Sequence, residues 1–302
     1  MTTVLLSGAS GFIGSQLARS LAADGHRVIP LSRAPRAGAV SWDAEAGTVD
    51  ESALARAQPD VVVNLAGEPI AQRWTPTRSL RIYESRVNGT AALAAALAKL
   101  ATKPRVLVSG SAVGYYGAHR GDELLDEDSS PGSDFLAETA HDWERATSPA
   151  ADAGIRVALS RTGLVLGANG GMLDQMLLPF RLGVGGRMGS GQQWMSWIAL
   201  ADMVRALRLL IDTPSLEGPF NLVGPNPVRN VEFTRTLGRA LHRPAVLPVP
   251  KTALELLFGR MADNTILASQ RVVPKRLADA GFEFRHPQLD DALRVALTRS
   301  GG

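Results

Sequence analysis

Gly8-Ala9-Ser10-Gly11-Phe12-Ile13-Gly14 follows a short apolar run, Val4-Leu5-Leu6, and opens a segment in which Ile13, Leu17 and Leu21 recur at helical spacing. Glycines so spaced permit a tight turn and let backbone N–H groups approach an anion, while a helix N-terminus favours negative charge. The chemistry this suits is pyrophosphate binding, with Gly8, Ser10, Gly11, Phe12, Ile13 and Gly14 as the contacts. On its own such a heptad is an ordinary glycine turn. Here it lies within strand, turn, helix and second strand over residues 4–32, the context that a dinucleotide-binding unit requires. Ser32-Arg33 stands where an NAD-preferring site places an acid for the ribose 2′-hydroxyl. An acid would repel a 2′-phosphate, whereas arginine offers it a fork of donors, so the expected cofactor is NADP(H). The competing reading of Arg33 is a surface arginine after a strand.

The elements that must hold these residues follow from periodicity. Short apolar runs at 4–6, 28–29, 61–63, 106–108 and 157–159 alternate with helical patterns through the first 170 residues. Continuous rather than alternating apolar strands are covered on both faces, which marks a parallel sheet between helix layers. The expected fold class is α/β, a Rossmann-type doubly wound parallel sheet with a smaller C-terminal α+β lobe. Pro30 is a misfit, since it lacks a ladder donor, and the second strand is expected to end or turn irregular there. After about residue 165 the texture changes to glycine-rich loops and proline punctuation, with helices expected at 202–212, 230–242 and 289–298. Residues 1–165 are thus read as the cofactor-binding domain and 166–302 as a substrate-side lobe, with a stretch around 193–225 able to rejoin the first.

Composition narrows the classes. The 302 residues carry 32 Lys+Arg against 29 Asp+Glu, a net +3 too mild for a nucleic-acid partner. With 45% hydrophobic residues there is ample core, and disordered and fibrous classes are excluded. Zero cysteines exclude disulfides, thiol nucleophiles and Cys-ligated metals, and five scattered histidines make a metal site unexpected. The N-terminus reads as neither signal peptide nor membrane span, so a cytoplasmic protein with a small-molecule substrate and no membrane partner is expected.

Further motifs carry a resemblance. Asn64-Leu65-Ala66-Gly67-Glu68-Pro69-Ile70 follows the 61–63 run, and Ser109-Gly110-Ser111-Ala112-Val113-Gly114-Tyr115-Tyr116-Gly117 follows the 106–108 run. Ser85-Arg86-Val87-Asn88-Gly89-Thr90, Phe135-Leu136-Ala137 with Trp143-Glu144, and Arg161-Thr162-Gly163-Leu164-Val165-Leu166-Gly167 complete the set. Together with the GxxGxxG spacing these resemble the extended short-chain dehydrogenase/reductases. Within them the chain is similar to the epimerase family proteins, described as nucleoside-diphosphate-sugar epimerases with a C-terminal domain of unknown function. Gln270-Arg271-Val272-Val273-Pro274 and Gly281-Phe282-Glu283-Phe284 resemble that C-terminal domain. The resemblance implies cofactor contacts at Leu65, Ala66, Gly67 and Ser109 besides those of the glycine turn, and a structural or water-holding Asn88. A family name is not itself evidence of epimerisation.

In that superfamily a Tyr with a Lys four residues later, plus a Ser or Thr, moves a proton while hydride passes to or from the nicotinamide. A phenol near pKa 10 needs such a cation to work near pH 7. The serine is present as Ser111, but Phe135 and Thr139 stand in place of Tyr and Lys. Only four lysines occur, at 99, 103, 251 and 275, and none of Tyr83, Tyr115 and Tyr116 has Lys at +4. The usual relay therefore cannot operate. Three readings remain: another acid/base such as Tyr115 or Tyr116 beside Ser111, with Glu68 or Arg86 lining the cleft; hydride chemistry needing little proton assistance; or NADP(H) binding without catalysis, as in a redox sensor. Against function stand aromatic packing for the tyrosines and a surface carboxylate for Glu68.

The stretch from Gly189 to Asp202 resembles the segment of nucleotide-sugar enzymes that places an Arg on the substrate pyrophosphate, yet here Met195 takes that position. A thioether cannot neutralise a diphosphate, so a substrate other than a nucleotide sugar is expected unless Arg181 or Arg187 compensates. Trp194, Met195 and Trp197 would suit an apolar substrate, or else pack between the lobes.

Overall fold

The computed structural model describes residues 1–33, 37–168 and 170–298. In chain order the elements of the first lobe are β1 (Thr3–Ser7), α1 (Phe12–Ala23), β2 (Arg27–Ser32), β3 (Val40–Asp43), β4 (Thr48–Val49), α2 (Glu51–Ala57), β5 (Val61–Asn64), α3 (Pro76–Lys99), β6 (Val106–Ala112), β7 (His119–Leu125), α4 (Phe135–Arg145), α5 (Ser148–Asp152), β8 (Arg156–Thr162) and β9 (Leu164–Leu166). There follow α6 (Gly171–Arg181), β10 (Trp194–Met195), β11 (Trp197–Ala199), α7 (Leu200–Asp212), β12 (Gly218–Leu222), β13 (Val228–Arg229), α8 (Asn230–Leu241), α9 (Lys251–Phe258), β14 (Ser269–Val272), α10 (Lys275–Asp279) and α11 (Leu289–Thr298). The helices expected at 202–212, 230–242 and 289–298 are α7, α8 and α11.

The central sheet runs β12-β8-β6-β5-β1-β2-β3-β4, parallel throughout except for the terminal β3–β4 pair. Chain order reverses between β1 and β5, so the turn after β1 opens at the topological switch point where such sheets bind ligands. Alternate residues of one strand feed two cores. Val4 and Leu6 pack under α1 and α7 with Leu17, Met203 and Leu207, whereas Leu5 packs with Leu93, Leu97 and Leu54 of α3 and α2. Burial of each such side chain is worth about 1.5–3 kcal/mol, which is why the two-sided apolar strands read so clearly.

Pro30 corrects one expectation. β2 runs through it to Ser32, with Pro30 opposite Leu6 of β1, and pairing with β3 begins only at Leu31. The outer flank is unpaired at Pro30, so a missing N–H there deletes no bond to β3. From the later part of the chain, β12 joins the sheet beside β8 and α7 packs on α1, so these segments extend the first lobe.

A third core, with Leu166, Leu173, Phe180, Trp197, Phe233 and Leu293, lies between β9, β11, α6, α8 and α11. The fully buried Asp202 of α7 accepts from the backbone N–H groups of Arg285 and His286, each at 2.9 Å, and so anchors the segment leading into α11. Among the described residues no helix is long and apolar enough to cross a membrane.

Candidate functional site

The turn after β1 requires glycine at positions 8 and 14. Gly8 adopts φ +67°, and a Cβ on Gly14 would lie 2.1 Å from the Gly8 carbonyl oxygen, so α1 can start against the turn only if residue 14 has no side chain. Gly11 N–H donates to that oxygen at 2.8 Å, and Gly11 caps α1 without any side-chain hydrogen bond. No acidic residue stands in the first turn. The leading N–H groups of α1 are left for an external anion, which is the geometry of a pyrophosphate cradle. Ser10 and Gly11 are exposed, and Ile13 packs into the core beneath. Phe12 closes the turn toward the second lobe, its ring lying 3.0 Å or less from where a Cβ on Gly167, Gly170 or Gly171 would sit. Between these loops runs a groove of about 1120 Å³.

Because β1 and β2 are neighbours, with Ser7 opposite Leu31, Ser32 and Arg33 emerge beside the cradle. Arg33 is exposed, and no ion pair among the described residues engages it.

The β5 end is tied to the β1 end by Ser7, a residue the sequence reading passed over. Its hydroxyl donates to Asn64 Oδ1 at 2.6 Å and accepts from the N–H groups of Leu65 and Ala66. Asn64 in turn donates to Thr90, which also accepts from Trp143 Nε1 at 2.9 Å. One buried chain of hydrogen bonds thus holds the 65–67 loop against α3 and α4. Gly67 is exposed at its tip, with the Arg86 guanidinium 3.0 Å from the position of a Cβ. Glu68 is half-buried, its carboxylate accepting from Gln72 at 3.3 Å. Asn88 lies exposed beside Gly47, on the outer side of α3.

The second network lies at the ends of β6 and β8. Ser109 is fully buried and Ser111 is 4% exposed, its Oγ donating to Glu144 Oε1 at 2.6 Å. Arg161, opposite Ser111 in the sheet, grips the same carboxylate with Nε at 2.8 Å and Nη2 at 2.9 Å. Burial alone would lower the Arg161 pKa, but the hydrogen bonds and charge of Glu144 hold it above the ordinary arginine value. Asp134 caps α4 by accepting from the Leu136 and Ala137 N–H groups, and its other oxygen accepts from Ala118. This cap sets α4 so that Trp143 and Glu144 reach the two networks.

The two adjacent tyrosines part company. Tyr116 is 0% exposed, its hydroxyl donating to Asn221 Oδ1 at 2.7 Å and accepting from Arg161. Burial pushes its phenol up to about 12. As a catalytic candidate it is therefore corrected: it belongs to the packed interior. Tyr115 is half-buried, with its ring 3.5 Å from the Arg161 Cζ, and no hydrogen bond among the described residues occupies its hydroxyl. Thr139, in the lysine's place, spends its hydroxyl on Phe135 O within its own helix, and Phe135 packs edge-on against Trp74.

On the substrate side the packing reading prevails for Trp197. It is 1% exposed in the third core and donates to Asn226 O, which withdraws it from a cleft. Met195 packs partly against the same core, its sulfur 3.4 Å from Asn230 Nδ2. Arg187 binds the carbonyl of Gly189 in its own loop, and Arg181 is exposed on α6.

Comparison with known proteins matches residues 4–228 to the NAD dependent epimerase/dehydratase family and residues 249–296 to a domain of unknown function (DUF1731). An epimerase family protein of Mycobacterium tuberculosis is 45% identical, covering 99% of this chain and 98% of its own. The crystal structure of human epimerase family protein SDR39U1 with NADPH is 35% identical, with TM-score 0.89 and coverage of 98% and 99%. A nucleoside-diphosphate sugar epimerase structure from Corynebacterium glutamicum is 37% identical with TM-score 0.81, covering 98% of this chain and 58% of its own.

Proposed function

The chain belongs to the NAD dependent epimerase/dehydratase family, and from that membership we propose that it is an NADP(H)-dependent oxidoreductase or epimerase-like enzyme acting on a small molecule that is not a nucleotide sugar. The fit of the 8–14 turn to a pyrophosphate carries this reading: a Cβ on Gly14 would collide with Gly8, and the α1 N-terminus is left uncapped by side chains. Arg33, exposed beside the turn, favours the 2′-phosphate form, in keeping with the NADPH bound by the human relative.

Bound NADP(H) supplies or accepts hydride at the nicotinamide ring; proton handling falls to the chain. Ser111 commits its own proton to Glu144, so what Oγ offers a substrate is a lone pair, and it orients a substrate hydroxyl by accepting from it. Tyr115, with an unengaged hydroxyl, is the group that gives or takes the proton at the reacting oxygen. Met195 and the inward-turned Trp197 supply no charge for a diphosphate. A non-catalytic, cofactor-binding reading draws on one observation, the replacement of Tyr and Lys by Phe135 and Thr139, both engaged in packing or helix bonds.

NADPH consumption across a panel of aldehydes, ketones and quinones tests the two. Turnover that falls in Tyr115→Phe and Ser111→Ala supports catalysis. Tight NADPH binding with no turnover on any member supports the binding protein.

A further inference from the structure

Among the described residues, Arg86 is a cation near the β5 and β6 ends that forms no salt bridge. Its Nη1 donates to the carbonyls of Glu68 at 3.0 Å and Ile82 at 3.1 Å. Nε and Nη2 engage no acceptor among the described residues, and the Glu68 carboxylate acts on the guanidinium through its charge without a salt bridge. The guanidinium lies against the Gly67 backbone, with Nη2 3.1 Å from where a Cβ would stand, and its Cζ sits 5.3 Å from the Trp143 ring centroid. Trp143 is itself fixed through Thr90, Asn64 and Ser7, so the hydrogen-bond chain that sets the 65–67 loop also sets the guanidinium. Burial lowers its pKa to about 10 against the opposing charge of Glu68, which leaves it charged at neutral pH. Arg161, by contrast, is committed to Glu144 through two donors.

Sheet order says what this cation faces. Neighbouring strand ends run β2, β1, β5, β6. They carry in turn Arg33, the glycine cradle, Gly67 with Arg86, and Ser111. A dinucleotide with its 2′-phosphate at Arg33 and its pyrophosphate at the cradle crosses the β5 end next, before its reacting ring reaches the β6 end. We propose that Arg86 engages the nicotinamide half of bound NADP(H), donating from Nε and Nη2 to the ribose hydroxyls and adjacent phosphate oxygen, so that the cation there comes from α3 rather than α4. A Cβ at residue 67 would stand 3.0 Å from Arg86 Cζ, so glycine there gives the guanidinium room against the loop.

The proposal rests on the cofactor reading above, and titration of purified protein with NADPH and with 2′,5′-ADP, which lacks the nicotinamide half, separates the two. In Arg86→Met the NADPH Kd is expected to rise by about tenfold or more. The Kd for 2′,5′-ADP should stay within about twofold, because the adenosine half does not reach the β5 end. Arg86→Lys, which keeps the charge but loses the planar fork, should fall between wild type and Met for NADPH only, and serves as the readout if the Met variant does not fold. Equal weakening of both ligands, or an unchanged NADPH Kd, overturns the assignment to Arg86. Wild-type protein that binds neither ligand overturns the cofactor reading itself.

Discussion

Ser111 Oγ lies 2.6 Å from Glu144 Oε1, and Arg161 holds both oxygens of that carboxylate. The serine's rotamer is thus set from outside the cleft by a buried ion pair, whose side chains are 4% exposed for Arg161 and 10% for Glu144. A serine so held presents a fixed acceptor, and its precision depends on the Arg161–Glu144 pair.

Glu144→Ala should destabilise the protein by about 3–5 kcal/mol, because the Arg161 charge is then buried without a partner. Urea unfolding gives the value. The double variant Glu144→Met/Arg161→Met, which removes both charges, should recover part of the loss; a double variant no more stable than the single one contradicts the ion-pair account.

Tyr115→Phe and Tyr116→Phe should fail in different ways. The first is expected to lower kcat by about 10²–10⁴-fold on any substrate found, with little change in stability, because the Tyr115 hydroxyl has no hydrogen-bond partner among the described residues to lose. The second leaves Asn221 and Arg161 each short of a partner and should cost about 1–3 kcal/mol. Thermal melts beside initial rates distinguish them.

Alkaline pH should single out Tyr116. Its phenol ionises near 10 when unfolded and is pushed up to about 12 in the fold. The folded state therefore favours the protonated form, a contribution present in full below pH 10 and lost as pH rises through 12. Wild type should lose about 2–3 kcal/mol more than Tyr116→Phe over that window. Parallel stability curves for the two proteins would contradict the buried-phenol assignment.

Arg33→Ala should raise the NADPH Kd by about 10–100-fold while leaving NADH within about twofold, since only the former carries the 2′-phosphate. Calorimetric titration of both cofactors is the check, and equal effects on the two would remove the specificity role.

Gly14→Ala should abolish tight binding of either cofactor. A methyl group 2.1 Å from the Gly8 oxygen forces the turn and the α1 N-terminus apart. Gly25→Ala is a useful control: its Cβ meets nothing within 4 Å, so any loss reflects only its φ of +77°.

Much of the molecule is written in local pattern. Glycine spacing after an apolar run, strands apolar on both faces, and the empty stretch between Lys103 and Lys251 are properties of neighbouring residues, so the fold class, the glycine turn and the absence of a Tyr/Lys pair were legible from residue order. Pro30 misled because what matters there is whether an adjacent strand pairs at that residue, which is a property of the sheet. Tyr115 and Tyr116 are identical in type and adjacent in the chain. Only the docking of the 3-10 turn at Val113–Tyr116 against β8 and β12 sends one hydroxyl to Asn221 and leaves the other unengaged. Trp197 was drawn inward by the third core, and Arg86 was set on the β5 loop by Trp143, 57 positions away. Periodicity reports which face of an element is buried. Which polar atoms meet across elements depends on helix placement to within an ångström, and that is settled only when the layers close on one another.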